Sequence, residues 1–453
     1  MKPDIAPAVR GPSLARRALM HVAWLGLDRG VAREVSALGA ATIASQVLAA
    51  AAVLVLTRLY SPQGFGVYAA AISVTSIIVV AGCMRYEQAI PIAESRTQAA
   101  ELIVLSLGLG AAILILSGGA LLLLEPMIRR LLGLESLVPY IGLILLAGTG
   151  ALIGLVLGAW AVRVRAFSDL ARARFSGAVG LVMAQTGLGL AGAGAVGLLL
   201  GDALGRGGGT ARLARHLWRD EGAVIRGVRV ASLLAVARRY RRFPLFSGPS
   251  ALLDVVNLQL PTLTVVAMFG STTAGVFLLA SRLGSLPNGL TMAAVAPVFV
   301  AESARVRTDP GSLRRLFDRT VGRLVLIGVV PATLIVVAGP TMFPLLFGQE
   351  WAEAGVFAAL FAPMFFAQLV TAPVSGILSV LERQDLHLAK EIGNLVLGIL
   401  VVAVASTGRW VAVPTVAALS AVGTLSAIGY FVAMRHAVSR MPPVVKPTGT
   451  DLA

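Results

Sequence analysis

The sequence has 453 residues, of which 57% are hydrophobic and only 13% are charged, and its formal net charge is +16. Soluble proteins carry about a quarter charged residues, and apolar runs of about 20 residues, enough to cross a bilayer, recur along this chain. We therefore expect an all-α polytopic membrane protein. A β-barrel is disfavoured because alternating segments of about 10 residues are absent.

Hydropathy predicts twelve membrane-spanning helices in two sets of six. The first set covers 36–57, 65–93, 100–124, 138–161, 174–190 and 193–211, and the second covers 246–269, 273–302, 320–346, 354–381, 388–406 and 410–434. The predicted units are a basic N-terminal segment at 1–35, two six-helix bundles at 36–211 and 246–435, a basic linker at 212–245 and a tail at 436–453.

Arginine and lysine collect in the connections on one side of the predicted membrane. This asymmetry is a positive-inside signal, which places both termini in the cytoplasm. The same basic connections are expected to contact anionic lipids, and their dispersal among apolar spans argues against nucleic acid as a partner. Within 1–34, the stretch ALMHVAWLGL is too short to span and predicts an interfacial helix or a disordered segment rather than a signal peptide.

An internal repeat is indicated by the alignment of the stretch from Leu38 with the stretch from Ser247. GVY at 66–68 then falls on GVF at 275–277, after a helix and a short exit loop in both halves. With six helices in each half, the repeats have the same orientation and a pseudo-two-fold axis along the membrane normal. Two such bundles that rock about a shared cavity are typical of transporters.

Two charged residues, Arg85 and Glu87, interrupt the otherwise apolar run 65–93. They lie either in a loop beyond the second helix or inside the bilayer, where charged residues mark functional sites. The repeat alignment places them opposite alanines within the predicted helix 273–302, which favours the intramembrane position.

Several motifs resemble polysaccharide flippases of the Wzx type, which belong to the multidrug/oligosaccharidyl-lipid/polysaccharide exporter superfamily. They are TRLYSPQGFGVYA (57–69), MRYEQAI (84–90), NLQLPTLTVVAMFGSTTAGVFLLASRLGSLP (257–287) and LFGQEWAEAG (346–355). The resemblance implies translocation of an undecaprenyl-diphosphate-linked oligosaccharide across the bacterial cytoplasmic membrane, from the cytoplasmic to the periplasmic leaflet. It also implies other polysaccharide-assembly proteins as possible partners.

The remaining candidate site residues follow from the chemistry of such a cargo. Guanidinium groups pair with phosphate, so Arg85 and Arg282 are predicted to line the cavity and Arg58 its periplasmic mouth, although Arg282 could instead form a structural ion pair and Arg58 an interfacial anchor. Asn257 and Gln46 are further substrate-binding candidates. Asp254, which shares a helix face with Asn257, could bind a coupling ion or neutralise an arginine.

The sequence predicts neither an enzyme nor a cofactor. The glycine-rich stretch GRGGGTAR (205–212) lacks the lysine of a phosphate-binding loop and is interpreted as a flexible helix end. A single cysteine and four widely separated histidines, which the hydropathy places outside the spans, argue against a metal site. Alternatives to the flippase are a drug/cation antiporter of the same superfamily and, less favoured, a membrane enzyme of glycan assembly.

Overall fold

The computed structural model describes residues 29–126 and 135–440, and every regular element in these ranges is helical. Nine segments of the described chain are long and apolar enough to cross a membrane. One of them, Phe243–Arg305, has 63 residues, which at about 1.5 Å per residue is long enough for two crossings. The predicted all-α polytopic fold is confirmed, whereas the interfacial N-terminal helix falls outside the described residues.

The described part of the first half contains α1 to α6 and two short 3₁₀ segments. Their bounds are Arg29–Leu59 (α1), Pro62–Gly82 (α2), Arg96–Leu123 (α3), Ile141–Arg163 (α4), Phe167–Leu190 (α5) and Gly194–Arg226 (α6), with 3₁₀ turns at Tyr86–Ile92 and Glu135–Tyr140. A short amphipathic helix, α7 (Val230–Arg239), joins this half to the second.

The second half contains α8 to α14. Their bounds are Gly248–Gly284 (α8), Leu286–Arg305 (α9), Pro310–Phe347 (α10), Ala352–Thr371 (α11), Ile377–Val380 (α12), Gln384–Thr407 (α13) and Ala412–Ser439 (α14). Helix α8 is broken at Gly270, which has φ 81° and ψ 178°. In the repeat alignment Gly270 falls on Ser61, the N-cap of α2, so this break is the counterpart of the turn between α1 and α2.

The fifth and sixth predicted spans are present as α5 and α6, but neither belongs to the nine segments that are apolar enough to cross a membrane. Helix α6 also continues without interruption through residue 211 to Arg226. The predicted boundary between the first bundle and the linker therefore falls inside a helix.

The two halves meet where α2 crosses α8, and both helices have a glycine at the crossing. A Cβ atom on Gly66 would lie 1.6 Å from the backbone oxygen of Ser271, and one on Gly275 would lie 1.8 Å from that of Pro62. In the repeat alignment Gly66 is equivalent to Gly275, and Pro62 is equivalent to Ser271. The contact of Gly66 with Ser271 and the contact of Gly275 with Pro62 are therefore equivalent contacts, seen from the two halves. This reciprocal contact is what a pseudo-two-fold axis between the repeats requires.

Further contacts join the halves at the same end, which is the end predicted to face the periplasm. The Trp351 indole Nε1 donates to the Thr57 backbone oxygen at 3.2 Å, and the Trp351 ring packs edge-on against Phe65 at 5.0 Å. Arg58 donates to the Leu346 backbone oxygen at 3.0 Å. Buried aromatic side chains therefore close this end of the molecule.

Candidate functional site

The chain leaves α2 through a sharp reversal that carries Arg85 and Glu87. Helix α2 ends at Gly82, and Met84 and Arg85 follow with φ values of 46° and 63°. Residues other than glycine rarely adopt this left-handed backbone conformation. Each one costs about 1–3 kcal/mol of conformational free energy, so surrounding contacts must hold it in place. The predicted uninterrupted helix over 65–93 is therefore wrong, because the chain turns at this point into a 3₁₀ segment, Tyr86–Ile92.

The guanidinium of Arg163, at the end of α4, holds the far end of this 3₁₀ segment. It donates to the backbone oxygens of Ile90 at 3.1 Å, Ala93 at 2.5 Å and Ser95 at 3.1 Å. Charge-assisted bonds of this kind are stronger than neutral ones. Arg163 thus stabilises the turn that presents Arg85 and Glu87.

Arg85 and Glu87 form a loose pair in the protein interior. Arg85 Nη1 lies 3.6 Å from Glu87 Oε1, and the Glu87 side chain is only 3% exposed against 25% for Arg85. Both carboxylate oxygens of Glu87 and Nε of Arg85 are buried without a hydrogen bond. Burial raises the pKa of the Glu87 carboxyl, and the Arg85 charge offsets only part of that shift. Arg85 therefore retains donor capacity for another anion.

A cavity of about 680 Å³ lies beside this pair, within the first half of the chain. Five charged side chains line it, three basic and two acidic: Arg85, Arg174, Arg206, Glu87 and Asp202. They come from the 3₁₀ segment, α5 and α6, and their formal charges sum to a positive excess. The cavity is therefore a concave, net basic site of a size that suits a small polar ligand group.

A second arginine–carboxylate pair faces this cavity from one face of α6. Arg206 Nε donates to Asp202 Oδ2 at 2.7 Å, across one helical turn. Asp202 is 2% exposed, and its other oxygen lies 3.4 Å from the Tyr68 hydroxyl. The third basic residue, Arg174, donates to the Thr42 hydroxyl at 3.1 Å. Each arginine in the cavity is thus positioned by a polar partner.

The glycines of GRGGGTAR explain how α5 and α6 come close enough to form this wall. A Cβ on Gly205 would lie 2.5 Å from Leu181 Cβ, and one on Gly209 would lie 2.6 Å from the Ala173 backbone oxygen. Both separations are too short for any side chain. The interpretation of this stretch as a flexible helix end is wrong, because it lies within α6 and packs tightly against α5.

The other predicted basic and amide residues lie outside the residues that line this cavity. Arg282, in α8, makes no side-chain hydrogen bond or ion pair with the described residues. Gln46 Oε1 is buried without a hydrogen bond and packs at Gly289. Arg58 is engaged at the closed end of the molecule, as described above.

Asp254 and Asn257 belong to a separate polar cluster in the second half. Asn257 Nδ2 donates to both the backbone oxygen and Oε2 of Glu391, each at 2.8 Å, while Asp254 Oδ1 lies 3.7 Å from His387 Nε2. Ligand atoms of Asp254, His387 and Glu391 all lie within 4.8 Å of one another, close enough to share one bound positive charge. The predicted shared face of Asp254 and Asn257 thus meets α13.

Comparison with known proteins gives the family. The family model described as "Polysaccharide biosynthesis protein" matches residues 55–356. The chain belongs to this family. The resemblance stated from the sequence motifs is thereby confirmed at the level of the family. Among curated proteins, none matches this sequence significantly.

Solved structures show that this family member has the fold of the MOP superfamily. A multidrug resistance MATE transporter in an inward-facing conformation matches with a TM-score of 0.69 at 16% identity, over 88% of this chain and 94% of its own. The lipid II flippase MurJ, in an inward closed conformation, matches with 0.63 at 11% over 89% of both chains. A MOP transporter from Pyrococcus furiosus, titled for the reverse polarity of its binding pocket, matches with 0.61 at 15% over 92% of this chain and 98% of its own.

Sequence reasoning missed most residues that complete these two sites. Asp202 and Arg206 carried a signal, since acid and base four residues apart on one helix can pair. The hydropathy prediction placed His387 outside the spans, and in the structure it lies in the first turn of α13, which begins at Gln384. Arg174 carried no comparable signal because its role depends on how α5 packs against α1.

Proposed function

We propose that this protein is a secondary transporter that flips an undecaprenyl-diphosphate-linked oligosaccharide from the cytoplasmic to the periplasmic leaflet of a bacterial inner membrane. Such a step would supply surface polysaccharides such as lipopolysaccharide or exopolysaccharide. Membership of a polysaccharide biosynthesis family and the fold shared with a lipid II flippase support the proposal.

The diphosphate is the part of such a cargo that most resists crossing, because unpaired charge in hydrocarbon costs several kcal/mol or more. An arginine-lined cavity lowers that cost, since a guanidinium pairs bidentately with phosphate oxygens. The single observation that carries the proposal is the convergence of Arg85, Arg174 and Arg206 on one cavity in the first half.

Each arginine keeps donor groups for the cargo despite its present partner. Arg85 has a buried Nε without a hydrogen bond, and Arg206 uses only its Nε toward Asp202. We assign the diphosphate to Arg85, Arg174 and Arg206, with Glu87 and Asp202 as counter-charges that limit binding when no cargo is present. Arg282 is outside the residues that line this cavity, and we propose it as a separate contact for the cargo on α8.

The other predicted residues take supporting roles in this proposal. Gln46 and Asn257 would contact the glycan, which offers hydroxyl groups to amides. Arg58 would stabilise the closed periplasmic mouth through its hydrogen bond to the Leu346 backbone oxygen. Asp254 is the residue we assign to ion coupling.

The basic surface after α6 supports anionic lipid as a second partner. In α7 the apolar side chains of Val230 and Leu234 are 78% and 62% exposed, and Arg238 and Arg239 close the helix. A short helix with exposed apolar and basic residues is suited to an anionic membrane surface. Other polysaccharide-assembly proteins are the proposed protein partners.

A drug/cation antiporter is the second candidate function, and the similarity to a multidrug resistance transporter favours it. A cation would have to enter a cavity lined by three arginines and two carboxylates. The resulting positive excess disfavours cationic drugs, so we prefer an anionic cargo.

Native mass spectrometry of the purified protein with undecaprenyl diphosphate and undecaprenyl monophosphate tests the site. Loss of one charge-assisted contact costs about 1.5–3 kcal/mol, or about 10- to 150-fold in affinity. We therefore expect Arg85→Ala and Arg206→Ala to weaken diphosphate binding by that factor. Arg215→Ala, at an exposed position further along α6, is the matched control and should bind as the wild type does. Equal binding by all three variants would overturn the assignment of this cavity.

A further inference from the structure

The polar cluster between α8, α13 and α14 contains more acid than base. Asp254 faces His387 across the two helices, Glu391 is 4% exposed, and Lys390 pairs with Glu391. These are the charged groups that act on His387. With a neutral imidazole, the two carboxylates and one ammonium leave one net negative charge in this cluster.

His387 lies between two groups that can each accept a hydrogen bond from its ring. Its Nδ1 lies 3.2 Å from the Tyr430 hydroxyl, and its Nε2 lies 3.7 Å from Asp254 Oδ1. Asp254 Oδ1 is buried and has no hydrogen bond. A proton on Nε2 would supply the missing donor, and a charge-assisted bond of about 2.8 Å would then form after a movement of about 1 Å.

The same geometry disfavours a metal ion. Both carboxylate oxygens of Glu391 are already occupied, one by the Asn257 amide and the other by the Lys390 ammonium. Hard cations take several oxygen ligands at once, whereas within this cluster, among the described residues, Asp254 Oδ1 and Asn257 Oδ1 are the two buried side-chain oxygens that have no partner. One additional positive charge on His387 neutralises the cluster and requires no further ligands.

We propose that Asp254 and His387 together bind one proton, and that this proton rather than a sodium ion is coupled to the movement of the flippase. The proton passes from water to Nε2 of His387 and returns to water by the same atom, so no other reactant is needed. This inference rests on the proposed transport function for its purpose, but the binding of the proton does not depend on the cargo.

Exposure of the pair explains how proton binding and movement would be linked. The side chains of Asp254 and His387 are 44% and 41% exposed in this conformation. If the bundles rocked so that Asp254 and His387 became occluded, the net charge of the cluster would be buried at a high cost in free energy. Prior binding of the proton removes this cost. A ligand shifts an equilibrium between two conformations by its difference in affinity for them, so the neutral cluster favours the occluded one.

The protonation of His387 can be followed by NMR in protein labelled with ¹⁵N-histidine and held in nanodiscs. The signal that disappears in His387→Gln identifies the residue. We expect the titration midpoint of His387 to fall by about one pH unit or more in Asp254→Asn, because a nearby carboxylate stabilises the imidazolium. His436→Gln, which removes an exposed histidine of α14, should leave that midpoint unchanged.

Two outcomes of this titration would overturn the proton site. One is a midpoint that is the same in wild type and Asp254→Asn. The other is a midpoint in the wild type that falls as NaCl replaces choline chloride at constant ionic strength, which would show that sodium competes for the site.

Coupling is tested separately in proteoliposomes with an imposed pH gradient and an undecaprenyl-diphosphate-linked oligosaccharide. We expect the gradient to accelerate flipping by the wild type. In His387→Gln the cluster keeps its net negative charge, so we expect slower flipping that the gradient does not accelerate. An unchanged acceleration in His387→Gln would overturn the coupling. Absence of flipping by the wild type together with a normal NMR titration would instead contradict the proposed transport function.

Discussion

The crossing of α2 and α8 predicts that Gly66→Ala opens the end of the protein that we predict to face the periplasm. The alanine Cβ would start 1.6 Å from the Ser271 backbone oxygen, whereas close carbon–oxygen contacts lie at about 3.3–3.6 Å. The helices must therefore separate by about 2 Å at this point. Since the partner atom belongs to a backbone, a rotamer change cannot relieve the contact.

The size of the effect follows from overpacking, which costs about 1–3 kcal/mol. That energy opposes only the arrangement in which the two helices cross closely. The closed arrangement should become about 5- to 150-fold less populated relative to one in which the halves are apart. Gly275→Ala should act in the same direction, because its Cβ would lie 1.8 Å from the Pro62 oxygen.

Electron–electron double resonance between spin labels at Gln63→Cys and Thr272→Cys measures this separation. Both positions are exposed near the crossing, and Cys83→Ala removes the native thiol. We expect a short distance in the labelled parent protein and a population longer by several ångströms in Gly66→Ala.

The matched control is Gly119→Ala in α3, where an added Cβ meets no atom within 4 Å. It should leave the distance distribution as in the parent protein. Equal distributions in Gly66→Ala and the parent, or the same change in Gly119→Ala, would refute the role of the crossing.

Three further predictions concern the neighbourhood of the site. Arg163→Ala removes three hydrogen bonds, worth about 1 kcal/mol each, from the segment near the buried Cys83 thiol. Labelling of this thiol by a polar reagent should therefore accelerate at least tenfold, and unchanged labelling would contradict the role of Arg163. Glu87→Gln should raise the melting temperature near pH 8, and this increase should become smaller as the pH falls toward about 4. The reason is that a carboxyl group with a raised pKa in the folded state makes the wild type lose stability as the pH rises. A difference in melting temperature that does not change with pH would contradict this. Trp351→Phe removes the donor to the Thr57 oxygen, a hydrogen bond worth about 1 kcal/mol. In the spin-label assay it should lower the population of the closed arrangement at this end by about fivefold, and an unchanged population would show that the indole is dispensable.

Much of the fold could be predicted because hydrophobicity and length together define membrane helices. The alignment of Leu38 with Ser247 also located the two glycines that prove to be the reciprocal contact between halves. Prediction failed where a backbone reversal depends on distant residues. The 3₁₀ segment that follows α2 is held at its far end by Arg163, some 70 residues later, and no local pattern at 83–92 encodes that contact.

In the candidate sites, too, local sequence patterns predicted some residues, and contacts between distant helices determined the others. Arg85 and Glu87 were identified because charge in an apolar run is unusual, and Asp254 and Asn257 because their spacing puts them on one helix face. Their neighbours depend on packing between helices, which a single sequence does not reveal. The symmetry argument also predicted the wrong backbone conformation at Arg85: its partner position lies within the continuous helix α9, whereas the first half turns at Arg85 into a 3₁₀ segment.

Flipping in proteoliposomes tests the central claim most directly. Undecaprenyl-diphosphate-linked oligosaccharide in the inner leaflet becomes accessible to an added glycosidase only after it crosses. The account predicts protein-dependent flipping that falls at least tenfold in the double variant Arg85→Ala/Arg206→Ala and stays normal in Arg215→Ala. Flipping by the double variant at the wild-type rate, or no flipping by the wild type, would contradict it.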